Sequence, residues 1–265
     1  MTQYVIALLL VFLCSCLAFV IVTYSLAFGI FGWLSNRMRV RAAVRELVSS
    51  LVLVPLWPFW WVLGARYRRR WEGRGRVHEG RNPVLLLHGF AMNRTQWVWL
   101  GRRLAETELG PVYGRSYFSL RSIASSAVDL SRMIDEICAR ENTTQVDIVA
   151  HSLGGLVARY FIERLDGAKR VGRLVTIATP HRGTRLGRLG LVPVARELVV
   201  GLPFPEQSPG VRYAAIWSPD DAVVQPAESA ALGERGSDYT FPGEGHLSML
   251  MAPSVLDRLT AELRS

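Results

Sequence analysis

Cysteine is scarce in this chain. Three cysteines in 265 residues, at positions 14, 16 and 138, supply neither a disulfide framework nor a metal-ligand spacing. Histidine is also sparse, at five, so any catalytic base has few candidates. No internal repeat or low-complexity tract is visible, which excludes a solenoid, and half of the residues are hydrophobic, enough for a packed core. Charge of either sign is missing from Tyr4 to Leu34. No Lys or Arg precedes that stretch, so it lacks the basic start of a cleaved secretion signal. The "LCSC" box within it looks like a lipoprotein cleavage site. The apolar run continues well past Cys16, however, which argues against lipidation there.

A membrane span needs roughly 20 apolar residues, about 30 Å of helix. The uncharged run exceeds that, so a retained span over about 4–34 is expected, with tilt or a kink near Gly29 and Gly32. A second apolar segment, 47–64, reads "LVSSLVLVPLWPFWWVLG". Its two prolines and three tryptophans fit a kinked second span or an interfacial segment equally well. Residues 1–64 are therefore read as a membrane anchor.

The net charge of +9 is uneven. Residues 1–81 hold eleven arginines against three glutamates, whereas the rest of the chain is nearly balanced. Positive charge beside apolar segments suits anionic lipid head groups rather than a nucleic-acid groove. Arg37, Arg39, Arg41 and Arg45 precede the second apolar run, and Arg66, Arg68, Arg69 and Arg70 follow it. The positive-inside rule places both flanks in the cytoplasm if only the first run crosses, leaving the remaining domain on that face. Residues 65–82 read as a basic linker along the membrane surface.

From Pro83 the periodicities of strand and helix alternate. "PVLLLHG", "GPVYGRSYF", "QVDIVAHS", "VGRLVTIATP", "VRYAAIW" and "DYTF" read as strands. Helical patterns intervene, with Trp97, Leu100 and Leu104 on one face and Val128, Met133 and Ile137 on another. Such alternation implies an α/β domain over 83–265, with a mostly parallel sheet covered on both faces.

Reactive groups in such sheets collect at the carboxyl ends of strands. Ser152 ends one strand, and small residues, Ala150 and Gly154, stand two places to either side. Crowded backbone at a sharp strand-to-helix turn requires this, and the pattern Ala-x-Ser-x-Gly is one methyl away from a nucleophile elbow. The alternative is a plain helix N-cap. A serine nucleophile needs a base, and the base an orienting acid. Asp220 and Asp221 follow a strand, with Asp221 preferred because it directly precedes "AVV". His246, in the glycine-flanked loop "GEGHLSML", is the remaining histidine suited to act as base. The backbone amides of Phe90 and Leu153 are the candidate oxyanion donors.

Together "PVLLLHGF", "DIVAHSLGGLVARYF", "VTIATPHRGT", "SPDDAVVQP" and "GEGHLSML" resemble the bacterial lipase and esterase branch of the α/β-hydrolase superfamily. The match takes in features of Bacillus-type and Burkholderia-type enzymes and covers 83–265 only. The resemblance implies hydrolysis of carboxylic esters, including those of lipids, through an acyl-enzyme on Ser152. His246 would act as base and then acid, oriented by Asp221, without metal or cofactor. A bacterial inner-membrane setting is expected from the apolar N-terminal segment, and the resemblance implies a His181 that shapes the pocket wall. The same residues would serve a thioesterase or an acyltransferase, and a non-catalytic membrane module is the reading from a different class. Residues 184–209 lie where such enzymes carry a lid. Pro193 and Gly201 bracket a short helix there, and its stripe of Leu191, Val194, Leu198 and Val199 suits either a mobile flap or ordinary packing on the sheet.

Overall fold

A computed structural model of the chain describes residues 2–54, 73, 81–107, 109–190, 192–202 and 210–265. The chain opens with helix α1 (Thr2–Phe28). Within α1, Ile6–Phe28 is long and apolar enough to cross a membrane. Gly29, at φ +73°, interrupts the helix, and α2 (Ile30–Leu34) follows. Asn36 then caps α3 (Arg37–Leu53) by accepting from Met38 N at 2.9 Å and Arg39 N at 3.3 Å. The break falls at one of the two glycines where the sequence places a kink; the other, Gly32, lies within α2.

The second apolar segment does not begin a new element at position 47. Residues 47–53 are the end of α3, and Leu53 is buried in the core beneath the sheet. Residues 55–64, including both prolines and the three tryptophans, lie outside the described residues, as does nearly all of the basic linker. Gly73, within that linker, donates to Val112 O at 2.8 Å.

The remaining strands are β1 (Val84–Leu87), β2 (Val112–Arg115), β3 (Val146–His151), β4 (Val171–Ile177), β5 (Arg212–Trp217) and β6 (Ser237–Thr240). They form one six-stranded sheet in the order β2-β1-β3-β4-β5-β6, and every neighbouring pair is parallel. Helices α4 (Val98–Ala105), α5 (Ile123–Glu141), α6 (Leu153–Arg164), α7 (Pro193–Val200) and α8 (Pro253–Arg264) surround it. Side chains alternate across the pleat. Leu85 and Leu87 face a core built with α5, α6 and α7, while Val84 and Leu86 face a second core built with α4 and α8. Helices cover both faces, which is why the central strands read as unbroken apolar runs.

Two details differ from the sequence expectation. The α4 segment starts as a 3-10 turn over Arg94–Trp97. The buried stripe of α5 is Ile123, Ala127, Leu130, Ile134 and Ile137, and Val128 points to solvent. The i, i+4 spacing of Leu130 and Ile134 sets that stripe and leaves Val128 about 140° off it.

Candidate active site

Strand β3 sits next to the middle of the sheet and delivers Ser152 at its carboxyl end. Ser152 has φ +53° and ψ −124°, a region a non-glycine residue rarely occupies. Its side chain makes no cap hydrogen bond to the helix that follows, so the simple N-cap alternative does not hold. The turn is fastened on both sides. Ser152 N donates to Ile177 O at 2.8 Å, and Thr179 Oγ1 donates to Ser152 O at 2.9 Å. A Cβ on Gly154 would lie 2.7 Å from His88 O, and one on Gly155 would lie 2.1 Å from Thr179 Oγ1. The two glycines after the serine are therefore steric requirements of this turn.

The expected acid and base, Asp221 and His246, arrive on the loops after β5 and β6. His246 Nδ1 lies 2.8 Å from Asp221 Oδ2. Asp221 Oδ1 is held by Val223 N at 2.7 Å and Val224 N at 3.1 Å. Asp220 does different work. Its Oδ2 accepts from Gly243 N at 2.7 Å, and its Oδ1 lies 3.9 Å from Arg39 Nε. Of the two aspartates, the one preferred from sequence is the one that meets the histidine.

His246 and Ser152 line the same cavity, which has a volume of about 580 Å³ and an apolar wall. Burial opposes a charge on His246, yet the Asp221 carboxylate and its hydrogen bond, with Glu46 behind, hold the imidazole above its usual range. The neighbouring His151 is different: burial and the nearby His246 push it well below its usual range. Its neutral ring donates through Nε2 to His246 O at 3.1 Å, so it braces the base's backbone.

Gly89 and Phe90 also line the cavity, at the end of β1. The amides flanking that of Phe90 are engaged: Gly89 N with Gln96 Oε1 at 3.2 Å, and Ala91 N with Ser119 Oγ at 3.0 Å. His88 stacks on Tyr117 at 4.4 Å between ring centroids. Burial pushes His88 down to about 4, so it is neutral, accepting from Tyr117 N and donating to Gly89 O. Leu153 is the first residue of α6, where amides are left over by the helix. Phe90 thus lines the cavity together with Ser152, and Leu153 follows the serine directly in the chain.

His181 does not shape the cavity wall. It is fully buried beside Thr176 and Arg159, and Pro180 takes the wall position. In the 184–209 stretch, Val194 and Leu198 of α7 join the core with α5 and α6, and Glu197 accepts from Ile123 N at 2.6 Å. Ala195 and Leu198 also line the cavity. The helix is docked as a wall of the site; Leu191 and residues 203–209 lie outside the described residues. Among the described residues, no three His, Cys, Asp or Glu side chains gather as a metal site.

Sequence reasoning missed the contribution of α3. Glu46 accepts hydrogen bonds from Leu247 N and Ser248 N, and Arg45 pairs with Glu244. One signal was available. Glu46 is the only acid among four arginines of that helix, and Ala42, Ala43, Ser49, Ser50 and Leu53 share its buried side.

The fold is that of the α/β-hydrolases. Solved structures with the same architecture include a lipase B from Aspergillus fumigatus, at TM-score 0.60 and 18% identity over 72% of this chain and 54% of that one. The mature BlEst2 lipase of Bacillus licheniformis gives TM-score 0.59 and 13% identity over 72% of this chain and 96% of that one. A bacterial membrane phospholipase A gives TM-score 0.52 and 16% identity over 72% and 82%. The chain spans about half the length of the Aspergillus enzyme. Residues 70–190 match a family model described as a domain of unknown function, DUF7379. That match includes Ser152 but neither Asp221 nor His246.

Gly155→Ala should lower stability by about 1–3 kcal/mol, because the methyl must displace Thr179 or the turn it secures. Thermal unfolding of the detergent-solubilised protein measures this, and an unchanged midpoint contradicts the steric account of the turn.

Proposed function

We propose that the protein is a membrane-anchored serine hydrolase that cleaves carboxylic esters of lipids. The observation that carries this reading is the Asp221–His246 hydrogen bond at the cavity onto which Ser152 projects from its strained turn. The lipase and phospholipase neighbours support it through the shared fold alone.

In this mechanism, neutral His246 takes the proton of Ser152 Oγ as that oxygen attacks the ester carbonyl carbon. The negative charge on the carbonyl oxygen is met by the amides of Phe90 and Leu153, aided by the positive end of α6. Collapse of this intermediate breaks the acyl–oxygen bond, and the leaving alcohol departs with the proton from His246. Water then attacks the acyl-enzyme, giving its proton to His246, and the carboxylic acid leaves as Ser152 regains a proton. Asp221 holds the imidazole in the tautomer this sequence needs and offsets its transient charge.

Helix α1 serves as the anchor, and the arginines that flank the apolar segments favour the cytoplasmic leaflet for the catalytic domain. The apolar wall of the cavity suits an acyl chain better than a polar acid.

Two measurements test the reading. A fluorophosphonate probe should label the wild type and fail on Ser152→Ala; equal labelling of both removes the proposed nucleophile. The pH–rate profile should show an acid limb above the ordinary histidine value near 6.5. His246 must be neutral to act as base, and its raised value keeps it protonated to higher pH. Asp221→Asn should cut kcat on the order of a thousandfold or more and move that limb down, with Asp220→Asn far milder.

A further inference from the structure

Helix α1 has two unlike sides. Phe12, Ser15, Cys16 and Phe19 recur at i, i+3, i+4 and i+7, so they share one face, and all four line the cavity that holds Ser152 and His246. Further along the helix, Val20 and Tyr24 are buried against Ala42, Ala43 and Ala222. Away from these contacts, Leu13, Leu17, Ile21 and Val22 are all exposed. Ahead of Phe12, from Leu8 to Val11, every residue is exposed and apolar. Thr2–Val11 rises about 15 Å, roughly half the hydrocarbon thickness of a bilayer. The helix thus reaches one leaflet deep as a bare rod before its inner side meets the catalytic cavity. Exposed apolar surface of this extent belongs in lipid.

We propose that α1 forms an acyl-binding subsite whose ligand is the hydrocarbon chain of a membrane-resident lipid ester, loaded sideways from the surrounding leaflet. The proposal rests on the ester-hydrolase reading of Ser152. A chain that slides from lipid onto Phe12, Cys16 and Phe19 never exposes its methylenes to water, the step that otherwise opposes extraction. Its ester carbonyl is carried towards Ser152 at the inner end of the same cavity.

The test uses the full chain reconstituted in phosphatidylcholine vesicles with a fluorogenic lauroyl lipid ester. Placed in the same vesicles as the protein, the ester should be hydrolysed at least about tenfold faster than when supplied in separate vesicles. Equal rates overturn sideways loading. Cys16→Trp should lower the ratio of lauroyl to butyryl ester hydrolysis by about tenfold, within the range a filled hydrophobic subsite produces; an unchanged ratio overturns the subsite. Should that variant not fold, Phe19→Ala must shift the same ratio by about threefold or more, or the subsite is lost. Butyryl hydrolysis that survives Ser152→Ala would instead sink the underlying reading.

A separate observation concerns α3. Glu46 is buried, and its carboxylate accepts from Leu247 N at 2.8 Å and Ser248 N at 3.2 Å, the two amides directly after His246. A Cβ on Gly245 would lie 2.5 Å from Glu46 Oε2, so the loop closes tightly around it. The same helix pairs Arg39 with Asp220 and Arg45 with Glu244. Three side chains of one helix thus hold the loops that carry the acid and the base. The groups facing the carboxylate are His246 and Asp221 from these loops and Tyr24 from α1. We infer that Glu46 is a positioning residue that sets the place and basicity of His246. Burial pushes its carboxyl up to about 7, while His246 and the two amides favour the anion.

With a butyryl ester, Glu46→Ala should lower kcat by about a hundredfold, the scale of an ångström's misplacement, with little change in KM. Glu46→Gln should restore part of it, since its amide oxygen can still accept from the loop. Both variants should move the acid limb of the pH–rate profile to lower pH, because the negative charge that helps hold His246 protonated is gone. A limb unmoved in Glu46→Gln, which keeps the shape of the side chain, overturns the inference, as does wild-type kcat in Glu46→Ala. Loss of fluorophosphonate labelling in the wild type would count against the catalytic reading and not against Glu46.

Discussion

The turn at Ser152 is the constraint on which the rest of the site depends. Holding a serine at φ +53° costs on the order of 1–3 kcal/mol, and the neighbourhood is built to enforce it. Ile177 and Thr179 of the adjoining strand end grip the backbone on both sides of the residue. Gly154 and Gly155 let α6 leave the sheet without colliding with the ends of β1 and β4. The parallel register of β1, β3 and β4 sets these three strand ends side by side, so the sheet holds the hydroxyl in place over the cavity.

The two loops that complete the site are restrained differently. In the loop after β5, the Asp221 carboxylate is held by the loop's own amides, Val223 N and Val224 N, while Thr184 and Arg39 reach the loop from outside. The base loop after β6 depends on groups from far away: His151 on its inner side and Glu46 on its outer side. The imidazole is thus clamped between the central sheet and a helix near the start of the chain. Among the described residues, the sheet region and the N-terminal helices share buried contacts and form one packed unit.

Much of this was legible in the sequence because it is local. The alternation of apolar strands with amphipathic helices implied a parallel sheet, and small residues around Ser152 implied a tight turn. Asp221 could be preferred to Asp220 from its immediate neighbours. Long-range contacts were not legible. Glu46 lies 201 positions from Leu247, and no periodicity marks such a pairing. His181 misled for a similar reason, since its motif placed it near the site without saying that Pro180 would turn it inward against Arg159. The start of the apolar run at residue 47 marks no change of element, because hydropathy rises inside α3. Leu53 is apolar because it fills the core under the sheet.

The unequal duties of the N-terminal helices bear on how the chain can drift in evolution. Residues 6–11 are exposed and apolar with no core to fill, so leucine, valine and isoleucine are interchangeable there. Residues 36–53 must simultaneously cap a helix, fill a core and fasten two loops, which leaves few neutral exchanges. Among related sequences, the segment nearest the start should therefore scramble freely in composition-preserving ways, while the short helix after it stays nearly frozen despite lying outside the hydrolase sheet.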